Sequence, residues 1–283
     1  MNSAVLVTGA TGFIGRRLVA ALKKRGQHVV THSSRDGDIA DCPIGGAGVG
    51  HVFHLAARTY VPDSWKDPLA FYKVNVLGTV NVLEYCRRQG ASLTLLSSYV
   101  YGIPEFLPIP ESHPVRPFNP YSHTKIMAEG VSRYFAEAFH IPVTIVRPFN
   151  IYGPGQASHF LIPKLLRQAV SVDYPDFLVD DIRPKRDYLF IDDLIALLVT
   201  LMDRRITSTF NAGSGYSIGI AEIVKSINSL LQTNKKLISR ENIRTSEVLD
   251  VFADISKARN ETGWHPTVPL EVGLARSLEC VVA

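Results

Sequence analysis

Short apolar runs alternate with longer helix-like stretches along most of the chain. The runs are rich in β-branched residues and lie at 4–8, 28–31, 51–56, 93–97, 143–147, 188–191 and 209–212. The stretches between them carry apolar residues at helical spacing, at 13–25, 68–89, 121–139, 160–169 and 192–202. Continuous apolar strands that alternate with helices are typical of a parallel sheet covered on both faces. We therefore expect an α/β fold with a doubly wound parallel sheet, whose ligands bind at the carboxyl ends of the strands.

Two regions depart from this alternation. The connection at 33–50 is short and contains five glycines, so we expect a loop there in place of a crossover helix. After residue 147 prolines and polar turns become more frequent. This change predicts a main domain made of 1–146 and 187–213, and a smaller, discontinuous α/β lobe made of 147–186 and 214–283.

A glycine-rich loop separates the first strand from the first helix. Gly9 permits a tight turn, and Gly12 lets the backbone approach a pyrophosphate that rests on the helix N-terminus. Gly15 allows close packing of helix and strand. The strand, loop and helix together predict a dinucleotide site, which also includes Thr11, Phe13 and Ile14.

Composition narrows the class of protein. The 283 residues are 46% hydrophobic and 20% charged, with a mild net charge of +4, as in ordinary soluble domains. Lys and Arg are scattered, so we expect neither a nucleic-acid partner nor a membrane surface. No apolar run reaches membrane-spanning length, and a strand that begins at residue 4 leaves no room for a signal peptide, which predicts a cytoplasmic protein. The three cysteines (Cys42, Cys86 and Cys280) lack metal-site spacing, so we expect no metal.

Two pairs of polar residues lie where the crevice is expected. Tyr121 and Lys125 are four residues apart at the start of a helix that 119–120 (Asn-Pro) signals, so they share one face. A nearby cation favours the phenolate, which suits acid–base chemistry. Ser97 and Ser98 end the fourth strand, where a hydroxyl can bond an oxygen that gains charge. By itself each pattern also fits a bland alternative, an exposed helix face or an ordinary strand end.

These residues belong to a series of motifs that extends along nearly the whole chain. They are Gly9-x-x-Gly12-x-x-Gly15, His54-Leu55-Ala56-Ala57, Asn75-Val76-x-Gly78-Thr79, Ser97-Ser98-x-Val100-Tyr101-Gly102, Tyr121-x-x-x-Lys125, Arg147-Pro148-Phe149-Asn150-x-Tyr152-Gly153-Pro154 and Arg186-Asp187-Tyr188. In this combination the chain resembles the extended short-chain dehydrogenase/reductases. Within that superfamily it is similar to the nucleotide-sugar epimerases, dehydratases and 4-ketoreductases.

The resemblance implies a Rossmann fold, a homodimer and a role for each matching residue. Tyr121 would exchange a proton with a sugar hydroxyl or carbonyl, commonly at C4, and Ser97 would hydrogen-bond the same oxygen. Lys125 would hold the nicotinamide ribose and lower the pKa of Tyr121. Further positions that would line the cofactor are Asp38, Ile39, Leu55, Ala56, Ala57, Arg58, Asn75 and Pro148. Those that would face a nucleotide-diphosphate sugar are Ser98, Tyr99, Asn150, Arg186 and Arg244.

The end of the second strand differs from relatives that use NAD. They usually carry an acidic residue there to bind ribose hydroxyls, whereas this chain has Ser33, Ser34 and Arg35. An arginine without the carboxylate suits a 2′-phosphate, so NADP(H) is favoured over NAD(H). Asp36 is close enough in sequence to reach a ribose as well.

Three interpretations of the activity follow. The 4,6-dehydratases place an Asp-Glu pair where this chain has Ser98 and Tyr99, so that type of dehydration is not expected. A 4-epimerase that keeps its cofactor is the leading interpretation. The alternative is an NADPH-dependent reductase of 4-keto-sugar nucleotides. A non-catalytic sensor of the NADP redox state is the remote third, since such proteins usually lose the tyrosine or the lysine.

Overall fold

The computed structural model describes residues 3–41, 44–242 and 247–282, so Cys42 and the predicted substrate residue Arg244 lie outside the described part of the chain. The strands are β1 Ala4–Thr8, β2 Val29–His32, β3 Val49–His54, β4 Ser92–Leu96, β5 Val143–Pro148, β6 Asn150–Tyr152, β7 Phe177–Val179, β8 Lys185–Arg186, β9 Tyr188–Phe190, β10 Thr209–Ala212, β11 Ile218–Gly219, β12 Leu237–Ser239 and β13 Asp250–Val251. The helices are α1 Phe13–Lys24, α2 Val61–Lys66, α3 Pro68–Tyr72, α4 Gly78–Gln89, α5 Pro120–Phe139, α6 Leu161–Val170, α7 Ile191–Arg204, α8 Ile220–Leu231, α9 Ser256–Thr262 and α10 Leu270–Val282.

Six strands form one parallel sheet, as the alternation predicts. Their order is β10-β5-β4-β3-β1-β2, and every neighbouring pair is parallel. Successive residues of β1 enter different cores: Val5 and Val7 pack on one face with α1 and α7, while Ala4 and Leu6 pack on the other with α4 and α5. Helices therefore cover both faces, which confirms the doubly wound fold.

The predicted elements need two adjustments. Residues 188–191 are not part of the main sheet; β9 pairs with β6 in a two-stranded sheet, because its apolar residues pack beneath α7 and α10. The predicted helix at 68–89 is α3 and α4 joined through a π-helical segment, Lys73–Leu77. Between β2 and β3 the described residues contain neither helix nor strand, so the glycine-rich connection is a loop as expected.

The later part of the chain forms small sheets outside the main one. These are β11-β8-β13, β12-β7 and β6-β9. The division into a main domain and a discontinuous lobe stays a prediction. Within the described ranges, no helix combines the length and the apolar character that a bilayer crossing requires.

A buried histidine organises the carboxyl ends of β1 and β3. The Thr79 hydroxyl donates to the Asn75 carbonyl at 2.6 Å, so it accepts from His54 Nε2 at 3.1 Å. His54 Nδ1 is then the acceptor for the Thr8 hydroxyl at 2.8 Å. The Thr8 oxygen in turn accepts from the backbone N–H groups of Leu55 and Ala56, both at 3.2 Å. The neutral imidazole thus fixes the segment that follows β3, where the cofactor is predicted to bind.

This histidine predicts a loss of stability in acid. Burial, with the positive charges of Lys125 and His32, lowers the pKa of His54 to about 3. An unfolded histidine (6.5) takes up its proton first, so the free energy of unfolding falls as the pH drops below 6.5. At about 1.4 kcal/mol per pKa unit, we expect about 3 kcal/mol of loss by pH 4 from this group. Urea unfolding at each pH measures it.

His54→Gln keeps a donor and an acceptor but cannot be protonated at these pH values. Its pH dependence between 6.5 and 4 should be flatter than that of the wild type. His265→Gln, at an exposed position, is the matched control and should follow the wild-type curve. Parallel curves for the wild type and His54→Gln would contradict the prediction.

Candidate active site

The glycine loop has the close contacts that its spacing predicts. Gly9 has a φ of +67°, and a Cβ there would lie 2.8 Å from the Ala56 nitrogen. A Cβ on Gly15 would lie 2.2 Å from the Gly9 carbonyl oxygen, so neither position accepts a side chain. At Gly12 a Cβ would meet only the Gly9 carbonyl oxygen, at 3.2 Å, so the loop stays open on that side. Thr11 is exposed, and Phe13 and Ile14 are half-buried at the start of α1.

These features fit a dinucleotide. Among the described residues no side chain caps the N-terminus of α1, so its first N–H groups are left for an anion. Leu55, Ala56 and Ala57 are half-buried beside the loop, and Arg58 is exposed after them. A pyrophosphate would rest on the loop and on the helix N-terminus.

The turn after β2 carries a carboxylate, Asp36, next to Arg35. Asp36 Oδ2 accepts from the Ser33 N–H at 2.8 Å and from the Ser33 hydroxyl at 2.9 Å. These bonds lower the pKa of Asp36. Ser34 and Arg35 remain exposed on the same turn. The edge therefore presents an arginine and a carboxylate side by side, and the Ser33 hydroxyl is already used.

Three other predicted cofactor residues make contacts to the protein itself, and of these Asp38 is exposed whereas Ile39 and Asn75 are buried. Asp38 Oδ1 accepts from the Ala40 N–H at 2.9 Å, and Ile39 is buried against Gly78. Asn75 accepts from the Arg58 N–H at 2.8 Å and donates to the Arg58 carbonyl at 3.0 Å and to Thr124 Oγ1 at 3.0 Å. Because its amide is fully used by these bonds, Asn75 positions the loop that bears Arg58.

The start of α5 presents the tyrosine and lysine on one face. Asn119 Oδ1 accepts from the Ser122 N–H at 2.7 Å, so the helix begins at Pro120, one residue before the predicted start at Tyr121. One turn apart, Tyr121 is half-buried in the cleft and Lys125 is 4% exposed. Lys125 Nζ donates to the Leu96 carbonyl at 2.6 Å, which ties α5 to the end of β4.

Burial dominates the ionisation of both residues. It raises the pKa of Tyr121 to about 12, although a hydrogen bond with Ser98 acts in the opposite direction. It lowers the pKa of Lys125 to about 8, against the attraction of Glu129. Desolvation therefore sets the direction of the Tyr121 pKa in the chain by itself, and the expectation that Lys125 lowers this pKa stays a prediction.

The two serines after β4 have different surroundings. Ser97 is buried, and its hydroxyl donates to Glu129 Oε1 at 2.6 Å. Arg147 binds the same carboxylate with both ends of its fork, at 2.9 Å and 2.7 Å. Arg133 adds a donor to Glu129 Oε2 at 2.7 Å. Ser98 is half-buried and near enough to Tyr121 to oppose the effect of burial on the pKa of that tyrosine.

Aromatic and charged side chains surround the positions that are predicted to face the substrate. Tyr99 stacks on Phe149, with ring centroids 5.4 Å apart; burial raises the pKa of Tyr99, and the nearby Arg186 acts in the opposite direction. Arg186 is also paired with Glu247. Tyr188 lies close enough to Arg186 and Tyr99 for their charges to affect its ionisation. The structure thus brings together Ser98, Tyr99, Tyr121 and Arg186.

The remaining predicted positions lie at the end of β5. Pro148 is its last residue and is buried. Asn150 follows, half-buried, and its side-chain amide donates to the Asp187 carbonyl at 3.1 Å. In the part of the chain that the structure describes, no cluster of three or more His, Cys, Asp or Glu side chains is arranged to bind a metal ion.

Comparison with known proteins agrees with this geometry. The model of the NAD dependent epimerase/dehydratase family matches residues 5–213. The chain belongs to this family. It is 28% identical to GDP-6-deoxy-D-mannose reductase of Pseudomonas aeruginosa, over 97% of this chain and 95% of the relative. It is 29% identical to UDP-glucose 4-epimerase of Lactobacillus helveticus, over 93% and 92%. The structure of RMD from Pseudomonas aeruginosa complexed with NADPH superposes with a TM-score of 0.89, at 27% identity and 99% coverage of both chains.

Sequence reasoning missed several residues of this epimerase/dehydratase site. Glu129 follows Tyr121 and Lys125 by eight and four residues, so helical spacing places it on their face and could have revealed it. Tyr188 is the last residue of the motif Arg186-Asp187-Tyr188, but the sequence predicted no role for it. Glu247 lies 61 residues from Arg186 in sequence, and no local pattern connects the two.

Proposed function

We propose that this chain is an NAD(P)-dependent enzyme that acts on a nucleotide-diphosphate sugar by hydride transfer at the sugar, at C4, and that it is an epimerase. The observation that carries the proposal is the position of Tyr121. Its ring meets Phe71 edge-on, and it lies one helical turn before Lys125, whose ammonium binds the Leu96 carbonyl at the carboxyl end of β4. We place the reaction in the cytoplasm.

The cofactor would lie along the glycine loop. Gly9, Gly12 and the N-terminus of α1 would hold its pyrophosphate, and the segment from Leu55 to Arg58 would line its path. When bound, a nicotinamide dinucleotide supplies a hydride acceptor and donor. Arg186 would bind the substrate's diphosphate, because a planar guanidinium matches phosphate oxygens.

Side chains of the protein would transfer the proton. Tyr121 would exchange a proton with the sugar oxygen, and Ser97 would hydrogen-bond that oxygen as it gains charge. Lys125 would bind the ribose next to the reacting centre. The stacked ring of Tyr99 would form one wall for the sugar.

The test is turnover of a panel of UDP-, GDP- and dTDP-sugars, with products identified by NMR. An epimerase interconverts two C4 stereoisomers without net consumption of cofactor. Mass spectrometry of freshly purified protein would detect a retained cofactor or sugar nucleotide. If every nucleotide sugar is recovered unchanged, with and without added NAD(P)(H), the proposal fails.

A reductase of 4-keto-sugar nucleotides is the second candidate, and one observation favours it. Arg35 is exposed at the end of β2, and the described residues between β2 and β3 form neither helix nor strand. An edge with an exposed arginine suits the 2′-phosphate of NADPH, the cofactor that such a reductase consumes. Stoichiometric oxidation of NADPH by a 4-keto substrate would separate this activity from epimerisation.

The cofactor preference is a further proposal: NADP(H) should bind more tightly than NAD(H). Arg35 is exposed at the end of β2, and one charge-assisted contact to a phosphate contributes roughly 1.5–3 kcal/mol. We expect a preference of about tenfold or more by calorimetry. Arg35→Ala should abolish it, whereas the matched variant Asp36→Asn should enlarge it by removing a carboxylate beside the 2′-phosphate. Tighter binding of NAD(H) by the wild type would reject the proposal.

We also propose a homodimer through the helices that the resemblance implies. Apolar side chains are exposed on the segment from the π-helical turn to α5, at Leu77, Met127, Tyr134 and Phe139. A two-fold interface would cover them. Light scattering at micromolar concentration should give twice the chain mass of 31.2 kDa, and a monomer mass would exclude the dimer.

A further inference from the structure

We propose that the loop at 153–160 is a strap over the cofactor cleft, and that the rings of Tyr60 and His159 form the latch that holds it. This role rests on the proposed binding of a nicotinamide dinucleotide along the glycine loop. Neither ring takes part in the transfer of hydride or proton. The latch sets how fast the cofactor enters and leaves, and therefore whether the protein keeps its cofactor from one turnover to the next or exchanges it.

The strap is anchored at both ends and exposed between them. Tyr152, the last residue of β6, is buried, and so is Ile162 in the first turn of α6. Between these anchors the residues at 155–160 are exposed, apart from the half-buried Gln156. Gly155 has a φ of +81°, which favours glycine and gives the strap a turn near its beginning. A segment of this kind can move while the elements at its two ends stay folded.

Contacts on two flanks define the path of the strap over the sheet. Near its beginning the Gly155 carbonyl accepts a hydrogen bond of 3.4 Å from the guanidinium of Arg16 on α1. Near its end His159 packs edge-to-face on Tyr60, with ring centroids 4.6 Å apart and an angle of 62° between the rings. Arg16 follows β1 and Tyr60 follows β3, and these two strands are neighbours in the main sheet. The strap therefore crosses the carboxyl ends of the two strands whose following loops are proposed to line the cofactor.

The segment that carries Tyr60 is tied to α5. The Arg58 N–H donates to Asn75 Oδ1 at 2.8 Å, and Asn75 Nδ2 donates to Thr124 Oγ1 at 3.0 Å. Both Asn75 and Thr124 are buried, so these bonds hold the chain two residues before Tyr60 firmly in place. Tyr60 is therefore the fixed half of the latch, and His159 is the half that moves with the strap.

The latch is weak, and the strap has room behind it. Tyr60 is 40% exposed and His159 is exposed as well, so the contact between their rings is open to water. A cavity of about 210 Å³ lies between the strap, α6 and α10, and Gln156 is one of the residues that line it. Among the described residues the buried Gln156 Oε1 finds no hydrogen-bond partner, so the packing on this side is incomplete. The strap can therefore move away from the cleft once the ring contact breaks.

Alanine variants of the latch test the proposal, with NADPH and NADH as parallel probes. The protein is loaded with the reduced cofactor and mixed in a stopped-flow instrument with an excess of the oxidised form, and the loss of cofactor fluorescence gives the release rate. Tyr60→Ala and His159→Ala should each raise this rate by about three- to tenfold, the effect of losing one aromatic pair. The association rate should rise as well, because the two rings contact each other and not the cofactor. Kd should then stay near the wild-type value, whereas the loss of a direct cofactor contact would raise it.

A double variant and two surface controls make the test specific. Because Tyr60 and His159 act through one contact, the double alanine variant should release the cofactor no faster than the faster single variant. Tyr134→Ala and His265→Ala remove exposed rings from α5 and from the segment before α10, and both should release the cofactor at the wild-type rate. Single variants that match the wild type, or effects that add in the double variant, would overturn the latch.

Hydrogen exchange tests the motion of the strap directly. The backbone amides at 155–160 should exchange faster in Tyr60→Ala than in the wild type, while those of α6 should not change. Equal exchange of the strap amides in the two proteins would overturn the proposal. A wild type that transforms no nucleotide sugar would overturn the proposed function, while the release and exchange results would still support the strap. A protein that binds neither NADPH nor NADH would overturn both.

Discussion

Replacing Tyr121 by phenylalanine is expected to lower kcat by about 10²–10⁴-fold, the usual contribution of general acid–base catalysis. Only a hydroxyl is removed, and the ring keeps its edge contact with Phe71, at a centroid distance of 6.4 Å. The fold should therefore survive. Substrate binding should change little, so the loss should fall on kcat, with KM near the wild-type value. Steady-state kinetics with the substrate found in the panel measures both.

The pH–rate profile provides the control for this prediction. Because burial raises the pKa of Tyr121, the rate of the oxidation direction should increase with pH, as the tyrosine loses its proton and becomes a base. The reduction direction should decrease over the same range. Both dependences should vanish in Tyr121→Phe. A variant with wild-type kcat, or with the same pH limb, would exclude Tyr121 as the proton carrier.

The main sheet was predictable because its information is local. Each strand lies within a short apolar run, and the start of α5 has its own signal, Asn119 before Pro120. The run at 188–191 shows where this reasoning ends. Its composition is that of a sheet strand, but whether it pairs with β5 or with β6 depends on packing between distant segments. Local composition therefore does not predict which strand this run pairs with.

The candidate site was likewise predictable only in part. Tyr121 and Lys125 are a helical pair whose chemistry follows from spacing, and the structure places them together. Their pKa values depend instead on desolvation by residues far away in sequence, which no spacing expresses. The direction of the Ser97 hydroxyl likewise depends on Arg147, which lies 50 residues further along the chain. Motifs thus identify the chemical groups, and the folded environment assigns their protonation.

Glu129 is the residue whose replacement should most reduce stability. Its carboxylate is bound by two arginines and one serine, and the Arg147 guanidinium is as deeply buried as its partner. Glu129→Gln leaves that guanidinium without a counter-charge in a site that water does not reach. Breaking a buried pair from one side typically costs about 3–5 kcal/mol, and we expect a loss of that size in the free energy of unfolding at pH 7.

A matched surface pair shows whether burial is the cause. Glu84→Gln breaks the bidentate pair with Arg87, whose side chains are 40% and 46% exposed, and should cost no more than about 1 kcal/mol. The difference in the free energy of unfolding between the wild type and Glu129→Gln should also decrease below pH 4.5. In that range the carboxyl of the unfolded chain takes up its proton before the folded one does, so the wild type loses the stability that the lowered pKa of Glu129 contributes. Equal losses for the two variants would mean that the buried pair is no stronger than a surface one.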